Sequence, residues 1–200
     1  MENSDSNISE RENQALNFLQ RDFDQCFQQL RHYDNQIFNI LKFTFTAYTV
    51  LIGAALGLYQ FGLKEQIDIT SPVSAVLIVG TLLGLFMFVL VIRNRVYFVK
   101  IARYLNEQRG LFFKQNPLGF ENIAQMETDP KQPLFFHWRS THLWLSYIMA
   151  LMNAILLGVL LFIAAPYTCW KWYIIVFVSL ILLIIQVFSA ILYLYSHEKK

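Results

Sequence analysis

Two carboxamides, Asn153 and Gln186, carry the sharpest chemical signal in the chain, because each lies deep inside a long uncharged stretch. Each stands about ten residues from the same-side end of its stretch, so the two share a depth. An amide facing hydrocarbon would have no partner, so the placement predicts a hydrogen bond between them, of order 1 kcal/mol. Such a polar pair fixes helix register. A proton or ion carrier needs an intramembrane carboxylate, histidine or basic residue, and none stands within these stretches.

Other reactive residues are sparse. His137 and His142 flank Arg139, but their spacing puts them on different helical faces and no carboxylate stands beside them. They read as groups that touch lipid head groups. Cys26 and Cys169 fall on opposite sides of the predicted spans, so they can neither pair within one chain nor share a metal. No HExxH, Walker A, GxSxG or dinucleotide fingerprint occurs. The expectation is a protein that is not an enzyme and needs no cofactor.

The stretches that hold the amides belong to a set of four. Phe43–Leu63, Ile69–Ile92, Leu143–Trp170 and Trp172–Ser196 run for 21, 24, 28 and 25 residues without Asp, Glu, Lys, Arg or His. About 20 apolar residues suffice to cross a hydrocarbon core as a helix. Lys42, Arg93, Arg95, Lys100, Arg103, Arg139, Lys199 and Lys200 cluster on one side, against Lys64 and Lys171 on the other. The excess of positive charge places both termini in the cytoplasm of a cell (inner or plasma) membrane. Tyr167, Trp170, Trp172 and Tyr173 then form an outer aromatic belt, and Trp138, Trp144, Tyr147, Tyr193 and Tyr195 an inner one. The third span is expected to end near Pro166.

Spans one and two extend beyond the bilayer. Ser9 and Glu12 spell a capping box that predicts a helix start, with the residues before it frayed. Leu16, Phe23, Leu30 and Ile37 repeat every seven residues, as do Leu19, Cys26, Tyr33 and Ile40, which is a coiled-coil-like heptad stripe. The arm Glu10–Ile37 would reach about 42 Å, and Arg93–Arg109, before a stop at Gly110, about 25 Å. Residues 1–37 carry seven acids and three bases; residues 93–142 carry eight bases and four acids. Opposite charge and an apolar stripe predict that the arms dock, with Asp34 beside Lys100 and Arg103, and Asp22 and Asp24 level with Arg109 and Lys114. The stripe left over at Leu16, Leu19 and Phe23 then needs another chain, so the expected state is a homo-oligomer. Residues 9–37 are also the surface for a cytoplasmic protein partner, and nucleic acid is not expected. Between Gly110 and His142, prolines and glycines predict a loop with one short helix around Glu121–Glu127.

Small residues should set the packing inside the membrane. Gly53 and Gly57 in span one match Gly80 and Gly84 in span two at GxxxG spacing, and depth pairs Gly53 with Gly84 and Gly57 with Gly80. Span three has a ladder of Ser146, Ala150, Ala154 and Gly158, available to a neighbouring span or a neighbouring subunit. The expected fold is an all-α four-transmembrane-helix bundle with long cytoplasmic helical extensions of spans one and two. Its parts are an N-terminal heptad helix over 1–42, the hairpin of spans one and two over 43–92, and a basic helix and loop over 93–142. The hairpin of spans three and four over 143–196 and a tail over 197–200 complete it.

In size, span number and helical extension the layout resembles the small four-pass accessory and effector proteins of prokaryotic defence systems, including those beside RNA-targeting CRISPR nucleases. The resemblance implies oligomers that alter membrane integrity, as a pore or leak, on a cytoplasmic cue. No Arg-x4–6-His pair of the ribonuclease type occurs, so no nuclease role is implied. The alternative is a passive scaffold that anchors a cytoplasmic partner.

Overall fold

The computed structural model describes residues 2–114, 123, 127–168 and 172–199, with side chains from residue 13 onward and backbone alone for 166–168. Four helices account for most of them: α1 (Glu2–Glu65), α2 (Thr70–Lys114), α3 (Thr141–Thr168) and α4 (Trp172–Glu198). All four are long and apolar enough to cross a membrane. Their outward faces carry Phe45, Val50, Val79, Phe86, Ile155, Phe162, Phe177, Ile184 and Phe188, all exposed, so each helix shows apolar groups on the side away from its neighbours. Single exposed apolar side chains are ordinary, but a continuous apolar exterior of this kind fits a hydrocarbon solvent rather than water.

Several boundaries differ from the sequence expectation. Helix α1 starts at Glu2, ahead of the Ser9 capping box, and continues through three glycines to Glu65. Helix α2 passes Gly110 and ends at Lys114. Gly110 is a point of close approach: a Cβ there would lie 3.2 Å from the carbonyl oxygen of Thr128. Helix α3 runs two residues past Pro166, since a proline in the last turn removes only one backbone donor. The short helix expected around Glu121–Glu127 falls mostly outside the described residues, and Ile123 and Glu127 lie in turns.

The α1–α2 turn ends α1 with a Schellman arrangement. The Ile67 N–H donates to the Gly62 carbonyl at 3.0 Å while Gln66 takes φ 58°. This left-handed position usually goes to glycine, which pays no Cβ penalty. Asp68 then accepts from the Thr70 N–H at 3.0 Å and opens α2. Ser140 opens α3, its carbonyl accepting from the N–H groups of Leu143 and Trp144.

The chain divides into two units. One comprises residues 1–35 and 97–134, the other 36–96 and 135–200. Helices α1 and α2 each contribute one stretch to each unit. The first is called the arm unit below, and the second the apolar unit.

Candidate functional site

In the apolar unit, one hydrogen-bonded cluster ties all four helices together. Asn153 on α3, fully buried, donates from Nδ2 to Gln186 Oε1 on α4 at 2.7 Å and to the Gly84 carbonyl on α2 at 3.2 Å. Its Oδ1 accepts from the Tyr48 hydroxyl on α1 at 2.7 Å. That hydroxyl also lies 3.4 Å from the Gly80 carbonyl, and Gln186 Nε2 lies 3.4 Å from the Leu182 carbonyl. Both amide hydrogens of Asn153 and its oxygen are therefore used. Buried polar groups are costly unless partnered, and a complete network specifies one arrangement.

The expected Asn153–Gln186 pair is present, and two partners that sequence reasoning missed, Tyr48 and the Gly84 carbonyl, complete it. Sequence depth gave no signal for Tyr48, which stands five residues into its stretch where Asn153 stands ten into its own. No residue pattern marks a carbonyl as an acceptor when its own helix already uses it.

The glycines behave differently from expectation. Gly80 and Gly84 are packed: a Cβ on Gly84 would collide with the Tyr48 hydroxyl and Asn153 Oδ1, and one on Gly80 would meet Leu51 Cδ1 at 3.0 Å. A Cβ on Gly53 or Gly57 would meet nothing within 4 Å. The pairing of Gly53 with Gly84 and Gly57 with Gly80 is thus replaced by Tyr48 and Leu51 seated against the α2 glycines. A tyrosine fills the hollow and satisfies its hydroxyl there, which a glycine-to-glycine approach cannot do. The α1 register shifts by five to six residues, about 7.5–9 Å.

Ser146, Ala150 and Ala154 are buried inside the chain, so this part of the ladder serves α3's own neighbours rather than a subunit contact. A Cβ on Gly158 would lie 3.1 Å from Ser179 Oγ, which keeps α3 and α4 close at that level. Beyond the cluster, Tyr48, Ala55, Val73, Leu77, Leu156 and Ile163 form an apolar core, flanked by Leu51, Ile52 and Tyr59.

At the opposite end of this unit the Phe135 backbone is held from two helices. Its N–H donates to Glu198 of α4 at 2.7 Å, and its carbonyl lies 3.4 Å from Arg95 Nε of α2. Arg95 and His142 are both buried, so His142 is not the head-group contact that its position beside Arg139 suggested; His137 is exposed. Trp144, Trp172, Tyr173, Tyr193 and Tyr195 are exposed near helix ends and Trp138 just before α3, as belt residues would be, whereas Tyr147 is half-buried. Cys169, Trp170 and Lys171 lie outside the described residues.

In the arm unit the two helices do meet. Asp22 accepts from the Tyr104 hydroxyl at 2.6 Å and from Gln108 Nε2 at 2.8 Å; Tyr33 stacks on Tyr97 at 5.6 Å. Asp22 was expected level with Arg109 and Lys114; its partners lie nearer the start of α2, although Arg109 still sits over the adjacent Phe23 ring. The bond from Asp22 and the nearby charge push the Tyr104 phenol above its usual range. Burial, then Asp22, raises the Cys26 thiol, which favours the unreactive protonated form.

Lys100 is exposed, while Arg103 Nε donates to the Pro133 carbonyl at 3.0 Å, so this arginine secures the connecting segment. Asp34, the partner expected for both, is half-buried. Asn106 fixes the same segment, donating to the carbonyls of Asp129 and Gln132 at 3.1 and 2.8 Å. Along α1 the heptad positions Phe23, Cys26, Leu30 and Tyr33 are half-buried, whereas Leu16 and Leu19 are 56% and 46% exposed. Phe23 therefore leaves the expected surplus: the Arg109 guanidinium lies 5.4 Å over its ring.

Comparison of the chain with protein-family models, with curated proteins and with solved structures returns no match.

Proposed function

We propose that the chain is a non-enzymatic, multi-pass membrane protein with both termini in the cytoplasm, whose helical arms receive a signal that the apolar helices answer. The observation that carries this reading is the course of α1 and α2. Each is one unbroken helix whose ends serve different units, and each supplies a member of the buried cluster, Tyr48 and Gly84. A shift of an arm along its axis would therefore strain that cluster, and a network with every atom committed has few intermediate arrangements. Exposed Leu16 and Leu19 support a homo-oligomer assembled through the arm. On this reading the answer is a change in membrane permeability, as in a defence effector.

Liposomes holding the purified protein and a membrane-potential dye test it. Intact protein should hold the potential, and Asn153→Leu with Gln186→Leu should dissipate it by removing the cluster. Retained potential in that variant and after deletion of residues 1–37 would remove the effector role. A second reading, a passive scaffold, is favoured by the cluster's own completeness, because it leaves no polar lining to wet a pore. Loss of co-purifying protein on deletion of residues 1–37, with potential unchanged throughout, would select the scaffold.

A further inference from the structure

In the apolar unit, the segment that leads into α3 ends in a tight turn. The Ser140 N–H donates to the His137 carbonyl at 2.8 Å, so Trp138 and Arg139 occupy its tip. The Phe135 backbone just before it is held by Arg95 and Glu198, so the turn starts from a fixed point on α2 and α4. Its rings are ordered as well. Trp138 lies 6.4 Å from Phe136 and 5.6 Å from Tyr147, and Tyr147 lies 6.1 Å from Trp144. Tyr147 is half-buried, while the two tryptophans it touches stay 59% and 55% exposed. Arg139 is exposed at the tip beside Trp138. The surface is therefore accessible, apolar over two indoles and cationic at one edge.

Charge at this end of the unit is one-sided. Residues 36–48, 84–96, 135–149 and 190–199 contain Lys42, Arg93, Arg95, Arg139 and Lys199 against one acid, Glu198. That acid is half-buried and accepts from the Phe135 N–H at 2.7 Å. Lys199 is exposed, with its Nζ 4.9 Å over the Tyr195 ring, and the nearby His197 ring lies 5.9 Å from that of Phe135. The end of α4 thus brings a second cation to the neighbourhood of the turn. A zwitterionic head group needs an anion for its ammonium as well as a cation for its phosphate. Here the only carboxylate is already engaged. Indoles favour the boundary between acyl chains and head groups, and arginine grips phosphate with two parallel N–H groups.

We propose that the turn 137–140 is a binding site for an anionic phospholipid, with Trp138 and Trp144 at the acyl boundary, Arg139 on the phosphate and Lys199 adding charge. This site rests on the membrane reading above and adds the lipid class that the basic end selects. The phosphate belongs to a lipid because the two exposed indoles need apolar chains beside them, which an inorganic ion does not supply. Binding is reversible and involves no covalent step.

The test uses the full chain with Trp170→Phe and Trp172→Phe, which leaves Trp138 and Trp144 as the tryptophan fluorophores. Nanodiscs of phosphatidylcholine carry a minor share of lipid brominated on its acyl chains, either phosphatidylglycerol or phosphatidylcholine. Brominated phosphatidylglycerol should quench more strongly. Arg139→Gln should lower that preference about fivefold, the usual weight of one base at an anionic surface. Lys199→Gln should lower it less, and Lys64→Gln, at the far end of the α1 apolar stretch, should leave it unchanged. Arg139 is exposed on a turn, so its replacement spares the fold, and circular dichroism checks this. Inorganic phosphate at matched ionic strength should not displace the lipid. Equal quenching by the two lipids, an unchanged preference in Arg139→Gln, or displacement by inorganic phosphate would overturn the site. So would an equal preference reported by Trp170 and Trp172 in a chain with Trp138→Phe and Trp144→Phe, because that pair stands at the other ends of the third and fourth stretches. No quenching by either lipid would overturn the membrane reading along with the site. The permeability measurement in liposomes does not depend on lipid preference, so the two proposals fail separately.

Discussion

The two units hold polar groups in opposite ways. The apolar unit concentrates them: Tyr48, Asn153, Gln186 and two glycine carbonyls form one buried cluster that reaches every helix. The arm unit disperses them: Asp22, Arg103, Asn106 and Arg109 each make their own contacts, several open to solvent. The dielectric explains the contrast. Where water is excluded an unpaired polar atom is costly, so Tyr48, Asn153 and Gln186 are joined. Where water reaches, each contact contributes little and can be exchanged, which suits a surface that receives a ligand or partner.

The contrast breaks most visibly at Gly84. A leucine there must displace both Tyr48 and Asn153, so Gly84→Leu should lower stability by about 3 kcal/mol through overpacking and loss of the cluster. The same change at Gly53, which has open space around it, should stay within about 0.5 kcal/mol. Unfolding in mixed micelles followed by circular dichroism measures both. Equal losses at the two glycines would show that α1 pairs with α2 through Gly53 after all.

Removing one member of the cluster sharpens the comparison. Asn153→Ala strands Gln186 and the Tyr48 hydroxyl and should cost about 1–3 kcal/mol. Tyr48→Phe removes one donor and should cost about 0.6 kcal/mol, the usual size for hydrogen bonds between membrane helices. A double variant that costs less than the sum would confirm that the two act together.

Between the extremes stands the turn at Gln66. Gln66→Gly relieves a left-handed side chain and should stabilise by about 1 kcal/mol, seen as a higher unfolding midpoint in the same assay.

The smallest effect belongs to the arm. Asp22→Ala should cost no more than about 1 kcal/mol, because an exposed contact is screened. Its clearer signature is optical. The Tyr104 phenol is raised above 10 chiefly by its bond to Asp22, so the variant should ionise at lower pH in an ultraviolet titration. A raised folded value means that the stabilisation is present below the unfolded value near 10 and is lost as pH rises through the folded one. Identical titration curves for wild type and variant would mean that the Asp22–Tyr104 contact does not persist in solution.

The sequence by itself determined the four apolar helices, because uncharged runs of that length have no other common use. It also determined the heptad stripe and the meeting of Asn153 with Gln186, since equal depth leaves two stranded amides few other partners. Only the tertiary structure decided the register. Depth matching paired glycine with glycine at Gly53 and Gly84, but a hollow in one helix can be filled by a backbone or by a ring. The Tyr48 ring fills it because its hydroxyl finds acceptors there.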